Sequence, residues 1–337
     1  MPAPVASSDC APLISVIIPN YNGAALLPPC LDSLQAQTYD NFEVILVDNA
    51  SGDESVALVQ RDYPQVRLLV LERNRGLTGG CNEGIAQARG EVIVCLNNDT
   101  EADPNWLAAI AEALAAHPQA GMIACKLLLF DRRDTIHSAG DSYGLDGIPV
   151  NRGVWQRDGP PFDKPAWVFG ACGGAAAYRR EMLEQIGAFD EELFMYCEDV
   201  DLNWRAQLAG YRCLYVPDSV VYHHLSATGG GKLASFYVGR NTIWVMAKNY
   251  PASLWRKYWP RIISAQLRVA RRALSAWRGA AARARLRGQM AGLLGLGRWL
   301  GKRAAVRRAP QVSDDYLADL MTHPSRALRS ASHFFSD

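Results

Sequence analysis

Four apolar runs in the first hundred residues limit what this chain can fold into more than any other feature. "LISVIIPNYN", "FEVILVDNAS", "VRLLVLERN" and "EVIVCLNND" each hold several β-branched or aliphatic residues in succession. An unbroken apolar run of strand length, without polar alternation, belongs to a strand covered on both faces. The segments between them, "GAALLPPCLDSLQAQTY", "DESVALVQRDY" and "GLTGGCNEGIAQA", carry apolar residues at helical spacing. Four strands alternating with three helices predict an α/β fold with a doubly wound, mostly parallel sheet of the nucleotide-binding kind. Three of the strands end in Asn or Asp, and ligands of such sheets bind outside the carboxyl ends of the strands. Asp99, in "LNNDT", is therefore a site candidate; the plainer reading is that Asp99 or Thr100 caps the next helix.

Beyond this frame, "WLAAIAEALAAHPQ" reads as a helix and "GMIACKLLLF" as a strand. Residues 131–168 are rich in Asp, Gly and Pro without periodicity and read as a long loop. "FGACGGAAAYRREMLEQIGAFDE" reads as a close-packed glycine turn, a short strand and a helix. "DVDLNWRAQLAGY" reads as a helix ended by Gly210, and "RCLYVPDSVVYHH" as two short strands around Pro217. No internal repeat is evident.

Charge divides the chain in two. Residues 1–218 hold 15 Lys and Arg against 30 Asp and Glu, whereas residues 219–313 hold 18 Lys and Arg and no acid, so the formal net charge of +1 hides an acidic body and a basic arm. From Ser253 onward the arm mixes Trp, Leu and Ile with Arg at helical intervals, the makeup of a helix lying on an anionic membrane surface. A nucleic-acid-binding arm is the rival, disfavoured because the Trp and Leu content exceeds what phosphate contacts need; a solvated helical hairpin is the other. No nucleic-acid partner is expected. The eight cysteines (Cys10, Cys30, Cys81, Cys95, Cys125, Cys172, Cys197 and Cys213) form no CxxC pair, which suggests buried thiols in a reducing compartment. "MPAPVASSDC" lacks a basic and an apolar region, so no signal peptide is expected, and no apolar run is long enough to span a bilayer.

Several residues could carry chemistry. Asp48 could accept from the N3–H of a uracil or thymine ring, or could share a helix cap with Ser51. The turn through Gly76, Gly79 and Gly80 allows backbone to approach a nucleotide. Asp99 offers a hard oxygen suited to Mg²⁺ or Mn²⁺, which take few carboxylates and keep phosphate oxygens and waters. In "YCEDVDLNWR", Glu198, Asp199 and Asp201 open a helix, where acids ordinarily serve the dipole. The neighbouring Phe194, Tyr196 and Trp204 could instead desolvate one of them into a working base. His223 and His224 are adjacent on a strand and must point to opposite faces, so one could complete a cation's shell.

Taken together, "VIIPNYN", "VDNASGD", "RNRGLTGGCNEGI", "LNNDT" and "EDVDLNWR" resemble glycosyltransferase family 2, the inverting sugar-nucleotide transferases with the GT-A fold, and look closest to its bacterial rhamnosyltransferase-like branch. The resemblance covers residues 13 to about 250. It implies that Pro19, Tyr21 and Asn22 line the nucleotide, that Asp48 holds the pyrimidine, and that Asn74, Gly76, Gly80 and Asn82 contact ribose and diphosphate. Asn97, Asn98 and Asp99 occupy the family's Asp-x-Asp site; with Asn97 in place of the first acid, Asp99 is left as the main metal carboxylate. It further implies that Gly173 and Gly174 lie beneath donor sugar and acceptor, that Asp199 is the catalytic base, and that Glu198 and Asp201 position it or the acceptor. His223 matches the downstream metal histidine, and Arg240 with Asn241 a basic element near the diphosphate.

The expected organisation is a tail (1–12), a GT-A catalytic domain (13–250), a basic amphipathic helical arm on the membrane surface (251–309) and a C-terminal tail (310–337). The expected activity is transfer of a sugar, first L-rhamnose from its dTDP form, to a glycan or a polyprenyl-diphosphate-linked acceptor in cell-envelope polysaccharide synthesis. Mg²⁺ or Mn²⁺ would assist, on the cytoplasmic face of the membrane. Removing residues 251–337 is expected to release the protein from membranes with donor hydrolysis intact. A UDP-hexose donor and a non-catalytic nucleotide-sugar-binding protein are the alternatives. A dinucleotide oxidoreductase is disfavoured because no GxGxxG follows the first strand.

Overall fold

The computed structural model describes residues 11–224, 231–306 and 312–322. Of the expected tails, residues 1–10, 310–311 and 323–337 lie outside the described residues, as do 307–309 of the arm. The chain begins β1 (Ile14–Asn20), α1 (Leu27–Gln35), β2 (Phe42–Asp48), α2 (Ser55–Asp62), β3 (Arg67–Val70), α3 (Gly76–Gln87) and β4 (Val92–Leu96). β5 (Thr100–Ala102), α4 (Trp106–Ala116), β6 (Ala120–Leu129), β7 (Arg132–Ala139), β8 (Asp141–Tyr143), β9 (Pro149–Asn151), β10 (Ala166–Val168) and β11 (Ala175–Arg179) follow. Then come α5 (Arg180–Ile186), α6 (Glu198–Leu208), β12 (Arg212–His223), α7 (Gly231–Asn249), α8 (Ala252–Ser275), α9 (Ala280–Leu294), α10 (Leu296–Val306) and α11 (Asp314–Thr322).

The main sheet runs β10-β12-β6-β11-β4-β1-β2-β3, with β5 added to β12 and β7 to β6. β1 pairs in parallel with β2 and β4, and β2 with β3, as the alternating pattern requires. β11 enters antiparallel between β4 and β6 and joins this parallel half to the β6–β12 half. In β1, Ile14, Val16 and Ile18 enter one core with Leu31, Leu46, Val94 and Trp106, while Ile17 enters a second with Ile45, Ile93, Met122 and Tyr178. Both faces of the strand are covered, which accounts for its unbroken apolar run. Each such side chain contributes about 1.5–3 kcal/mol by burial.

Two expectations are corrected. Residues 131–168 form β7, the β8–β9 hairpin and β10 rather than a loop. β7 pairs with β6 on one side and with residues 152–158 on the other, the Ile136 N–H donating to the Gln156 carbonyl and its carbonyl accepting from the Trp155 N–H; its first residues Arg132, Arg133 and Asp134 are exposed, and their charges hide the strand's alternation. Residues 212–223 form one strand rather than two; a register shift against β6 between Val216 and Val220 absorbs Pro217.

The C-terminal helices build a third core on the outer side of α6. Trp204 of α6, Val245 of α7, Leu254 and Ile262 of α8, Trp299 of α10 and Leu317 of α11 are buried together there. Charge reinforces this packing. Lys248 Nζ lies 2.9 Å from both Asp190 and Asp201, Lys302 Nζ lies 2.7 Å from Asp190, and Arg298 lies 2.7 Å from Glu192. Part of the charge asymmetry is thus neutralised within the molecule. No helix among the described residues is long and apolar enough to cross a membrane.

Candidate active site

A cavity of about 570 Å³ opens where the carboxyl ends of β1 and β4 meet the start of α6. β1 delivers Pro19, Asn20 and Tyr21, β4 delivers Asn97, Asn98 and Asp99, and the opposite wall carries Gly173, Gly174, Glu198 and Asp199. Asn74 enters from the loop before α3, Gly76 from the first residue of that helix, and His223 from the end of β12.

Asp199 is held from two sides. Its Oδ2 accepts from the Gly173 N–H at 2.8 Å and its Oδ1 from the Val200 N–H at 2.7 Å. A Cβ on Gly173 would lie 3.2 Å from that Oδ2, so glycine leaves room for the carboxylate against the backbone. Burial pushes the Asp199 carboxyl above its usual range, only partly offset by these N–H groups. Glu198 is pushed further, to about 8, by burial and by the charge of Asp199 beside it, and its Oε2 is buried without a hydrogen-bond partner. At neutral pH the pair therefore favours a protonated Glu198 beside an Asp199 avid for a proton.

The loop that presents these acids is strained. Phe194, Tyr196 and Cys197 all have φ between 63° and 67°, where a non-glycine residue costs about 1–3 kcal/mol. Asn241 of α7 holds the loop in place, its Nδ2 donating to the carbonyls of Leu193, Met195 and Tyr196 at 2.7–3.0 Å.

Across the cavity, Asp99 Oδ1 lies 3.1 Å from His223 Nε2, and His223 Nδ1 lies 2.9 Å from His137 Nδ1. His224 points the other way and stacks on Phe130 with ring centroids 3.5 Å apart. A carboxylate oxygen and an imidazole nitrogen converging on open space fit a divalent cation that fills its other positions with phosphate oxygens and water.

Six expected residues stand outside this cavity. Asp48 is fully buried, and its oxygens accept from Asn20 Nδ2 and from the N–H and hydroxyl of Ser51, which hold the carboxylate within the β2 end. Asn22, at φ 51°, bonds Gly52 N–H through its Oδ1 and staples two loops. Gly80 packs under Asn49 and Pro19, and Asn82 bonds both the carbonyl and the N–H of Phe189. Asp201 turns away into the third core with Arg205, Lys248 and Asn249; burial raises its pKa, but these cations outweigh it and keep the carboxyl below its usual range. Arg240 donates to the carbonyls of Glu192 and Leu193 and lies 4.1 Å over the Trp244 ring, so it braces the strained loop rather than the cavity.

Sequence reasoning missed His137 and Asp141, both lining the cavity from the segment read as a loop. Asp141 Oδ1 accepts from Ser138, and ligand atoms of Asp141, Cys172 and Asp199 all lie within 4.8 Å of one another. Burial, then the charge of Asp199, pushes Asp141 well above the usual carboxylate range. Only the "TIH" of β7 gave a signal: an apolar residue between polar ones, as on a strand with one buried face.

Comparison with known proteins identifies the fold and the family. Among solved structures, GalNAc-T7 with UDP, GalNAc and Mn²⁺ matches with a TM-score of 0.59 at 19% identity, over 72% of this chain and 48% of that one. S. aureus TarS matches with a TM-score of 0.51 at 23% identity, over 70% and 40%. These likenesses establish the GT-A fold. The O-antigen biosynthesis protein RfbC of Myxococcus xanthus is 33% identical over 231 residues, 64% of this chain but only 18% of that protein, so the chain corresponds to a small part of it. The N-acetylglucosaminyl-diphospho-decaprenol L-rhamnosyltransferase of Mycobacterium tuberculosis (strain ATCC 25618 / H37Rv) is 30% identical over 255 residues, 68% of this chain and 80% of that one. The model of the family described as glycosyl transferase family 2 matches residues 15–187. Because that match runs from β1 through α5 and the mycobacterial relative aligns over two thirds of the chain, the protein belongs to glycosyl transferase family 2.

Proposed function

We propose that this protein is an inverting glycosyltransferase that moves a sugar from a nucleotide donor to a hydroxyl of a lipid-linked glycan acceptor in cell-envelope polysaccharide synthesis. The carrying observation is Asp199: a carboxylate with a raised proton affinity, fixed by two backbone N–H groups, facing a cavity whose far wall holds Asp99 and His223. The mycobacterial relative, named for transfer of L-rhamnose to a decaprenyl-diphosphate-linked sugar, supports rhamnose from dTDP-rhamnose as the first donor to test; UDP-hexoses come next.

In this reading Pro19, Tyr21 and Asn74 border the nucleotide, and the first turn of α3, at Gly76, meets its diphosphate. The positive φ of Gly76, 75°, and the nearness of Phe194 to its Cα fit a position where backbone must pass close to other groups. Asn97 and Asn98 offer amides, Asn98 being fixed by its bond to Asn20. Asp199 takes the proton from the acceptor hydroxyl as that oxygen forms a bond to the anomeric carbon and the bond to the nucleoside diphosphate breaks. One displacement inverts the anomeric centre. Asp99 and His223 would hold Mg²⁺ or Mn²⁺, which supplies positive charge to the leaving diphosphate. The exposed, Trp-rich face of α8 and its arginines would keep the enzyme on the anionic cytoplasmic face of the membrane, where lipid-linked acceptors lie.

The test is a donor screen with purified protein, scoring nucleoside diphosphate release from dTDP- and UDP-sugars offered separately with extracted lipid-linked acceptor. One donor should be turned over, with Asp199→Asn lowering the rate at least a thousandfold and leaving donor affinity within a few fold. Chelation should stop turnover, and Mn²⁺ should restore it better than Mg²⁺ because one ligand is an imidazole. Nucleotide binding without turnover of any donor would favour a binding protein and overturn the reading.

A further inference from the structure

The catalytic cavity does not end at Leu233. The same side chain forms a wall of a second cavity, about 470 Å³, between the first turns of α7 and α9. Close packing of the two helices starts where Gly288 meets Phe236: a Cβ on Gly288 would fall 2.1 Å from the Phe236 carbonyl oxygen. Ahead of that contact a groove stays open. Lys232, Arg283 and Arg287 supply its charge, and Leu233, Phe236 and Tyr237 its apolar surface. Neither helix has an acid in its first turn. The side chains of Lys232 and Arg287 make no hydrogen bond or ion pair with another described residue, whereas Arg283 braces the turn between α8 and α9 by donating to the carbonyls of Trp277 and Arg278.

The groove also has continuity at both ends. On its inner side, Tyr237 stacks on Phe194, a wall of the catalytic cavity, with ring centroids 5.5 Å apart. On its outer side, Arg283 reaches Trp277, which is 58% exposed and follows the apolar stripe of α8. The order outward is therefore carboxylate base, cations with aromatic rings, then exposed apolar surface. A sugar joined through a diphosphate to an isoprenoid chain presents the matching order: hydroxyls, two negative charges, then hydrocarbon.

We propose that this groove is the acceptor subsite, with Lys232 and Arg287 holding the diphosphate of a polyprenyl-diphosphate-linked sugar and Leu233, Phe236 and Tyr237 its first isoprene units. This rests on the lipid-linked acceptor proposed above. It adds the place where the lipid and its diphosphate are read while the sugar lies against Asp199.

The test is calorimetric titration of the full chain. UDP and dTDP are titrated first. Farnesyl diphosphate, farnesol and inorganic diphosphate are then titrated with the nucleotide present, so that the donor's diphosphate site is filled. Farnesyl diphosphate should bind at least tenfold more tightly than either fragment, because only it engages both cations and rings. The exposed pair Lys232→Gln and Arg287→Gln should weaken it at least tenfold, and Phe236→Ala severalfold, with nucleotide affinity unchanged. Equal farnesyl diphosphate binding by wild type and double variant would overturn the proposal. So would a double variant that loses only its binding to phosphatidylglycerol vesicles, since the cations would then serve the membrane. Failure of the donor reading shows separately, as absence of nucleotide binding in the first titration, and the farnesyl diphosphate series decides the groove in either case.

Discussion

Glu198 and Asp199 are neighbours in sequence, yet the backbone treats them differently. Asp199 receives two N–H groups, whereas Glu198 Oε2 receives none and sits beside the charge of Asp199. Activity should rise with pH as Asp199 ionises and fall again as Glu198 loses its proton near pH 8, because a second negative charge would then face the donor diphosphate. Glu198→Gln should keep the acid limb of the kcat/KM profile and lose the alkaline one; a profile unchanged above pH 8 would remove Glu198 from this role. Stability carries the same signature. The folded state raises the Glu198 pKa from 4.5 to about 8, so it binds that proton more tightly than the unfolded chain does. The resulting stabilisation is whole below pH 4.5 and is lost as pH rises through 8. The Tm of Glu198→Gln relative to wild type should accordingly be higher at pH 9 than at pH 6.

Among elements, the strained turn before α6 depends on a residue from another helix. Asn241 Nδ2 is donor to three carbonyls in a segment where Phe194, Tyr196 and Cys197 all adopt positive φ. Asn241→Ala would leave the Met195 and Tyr196 carbonyls without this donor, while Leu193 keeps its bonds from Arg240 and the Met195 N–H, and stability should fall by about 1–3 kcal/mol. Because the turn sets the direction of Asp199, kcat should fall more than donor affinity; equal losses in both would mean that the amide only holds the fold together. The motif "GRN" was visible in the sequence, but its partners lie more than forty residues away, and no local pattern could have assigned Arg240 and Asn241 to bracing a turn. The elements that were legible share a local cause. β1, β2 and β4 announce themselves because both their faces are buried, and Asp99 because it follows β4 directly. β7 was hidden because its exposed first residues, Arg132 to Asp134, are charged, and His137 and Asp141 were lost with it. Asp48 and Asp201 stand outside the cavity lining for a related reason: residue type marks an acid as chemically able, while neighbours such as Ser51 or Lys248, brought in by folding, set which way it faces.

At the scale of the whole molecule, the basic arm has two faces with different duties. Its inner face belongs to the third core, where Leu254, Ile262 and Trp299 cover Trp204 and Tyr250. Lys248 meets Asp201 there in a buried ion pair, where removing one partner costs about 3–5 kcal/mol, and Lys302 adds a half-buried contact to Asp190. Deleting residues 251–337 would strip that core and the Lys302 contact together, so the truncated protein should unfold or aggregate rather than become a soluble active enzyme. Loss of the truncation from membranes would then say nothing about lipid. The outer face of α8 offers a cleaner test. Trp259, Ile263 and Leu267 recur every four residues and are 52%, 42% and 64% exposed, with Arg256 and Arg271 on the same side of the helix. Replacing the three apolar residues by Asp removes apolar surface and adds charge repelled by anionic lipid, without touching the core. The triple variant should move from the membrane pellet to the supernatant with its Tm and donor turnover in detergent near wild type. Continued pelleting with a normal Tm would mean that α8 does not hold the protein to the bilayer, and the exposed stripe would then have to be read as a surface for another protein.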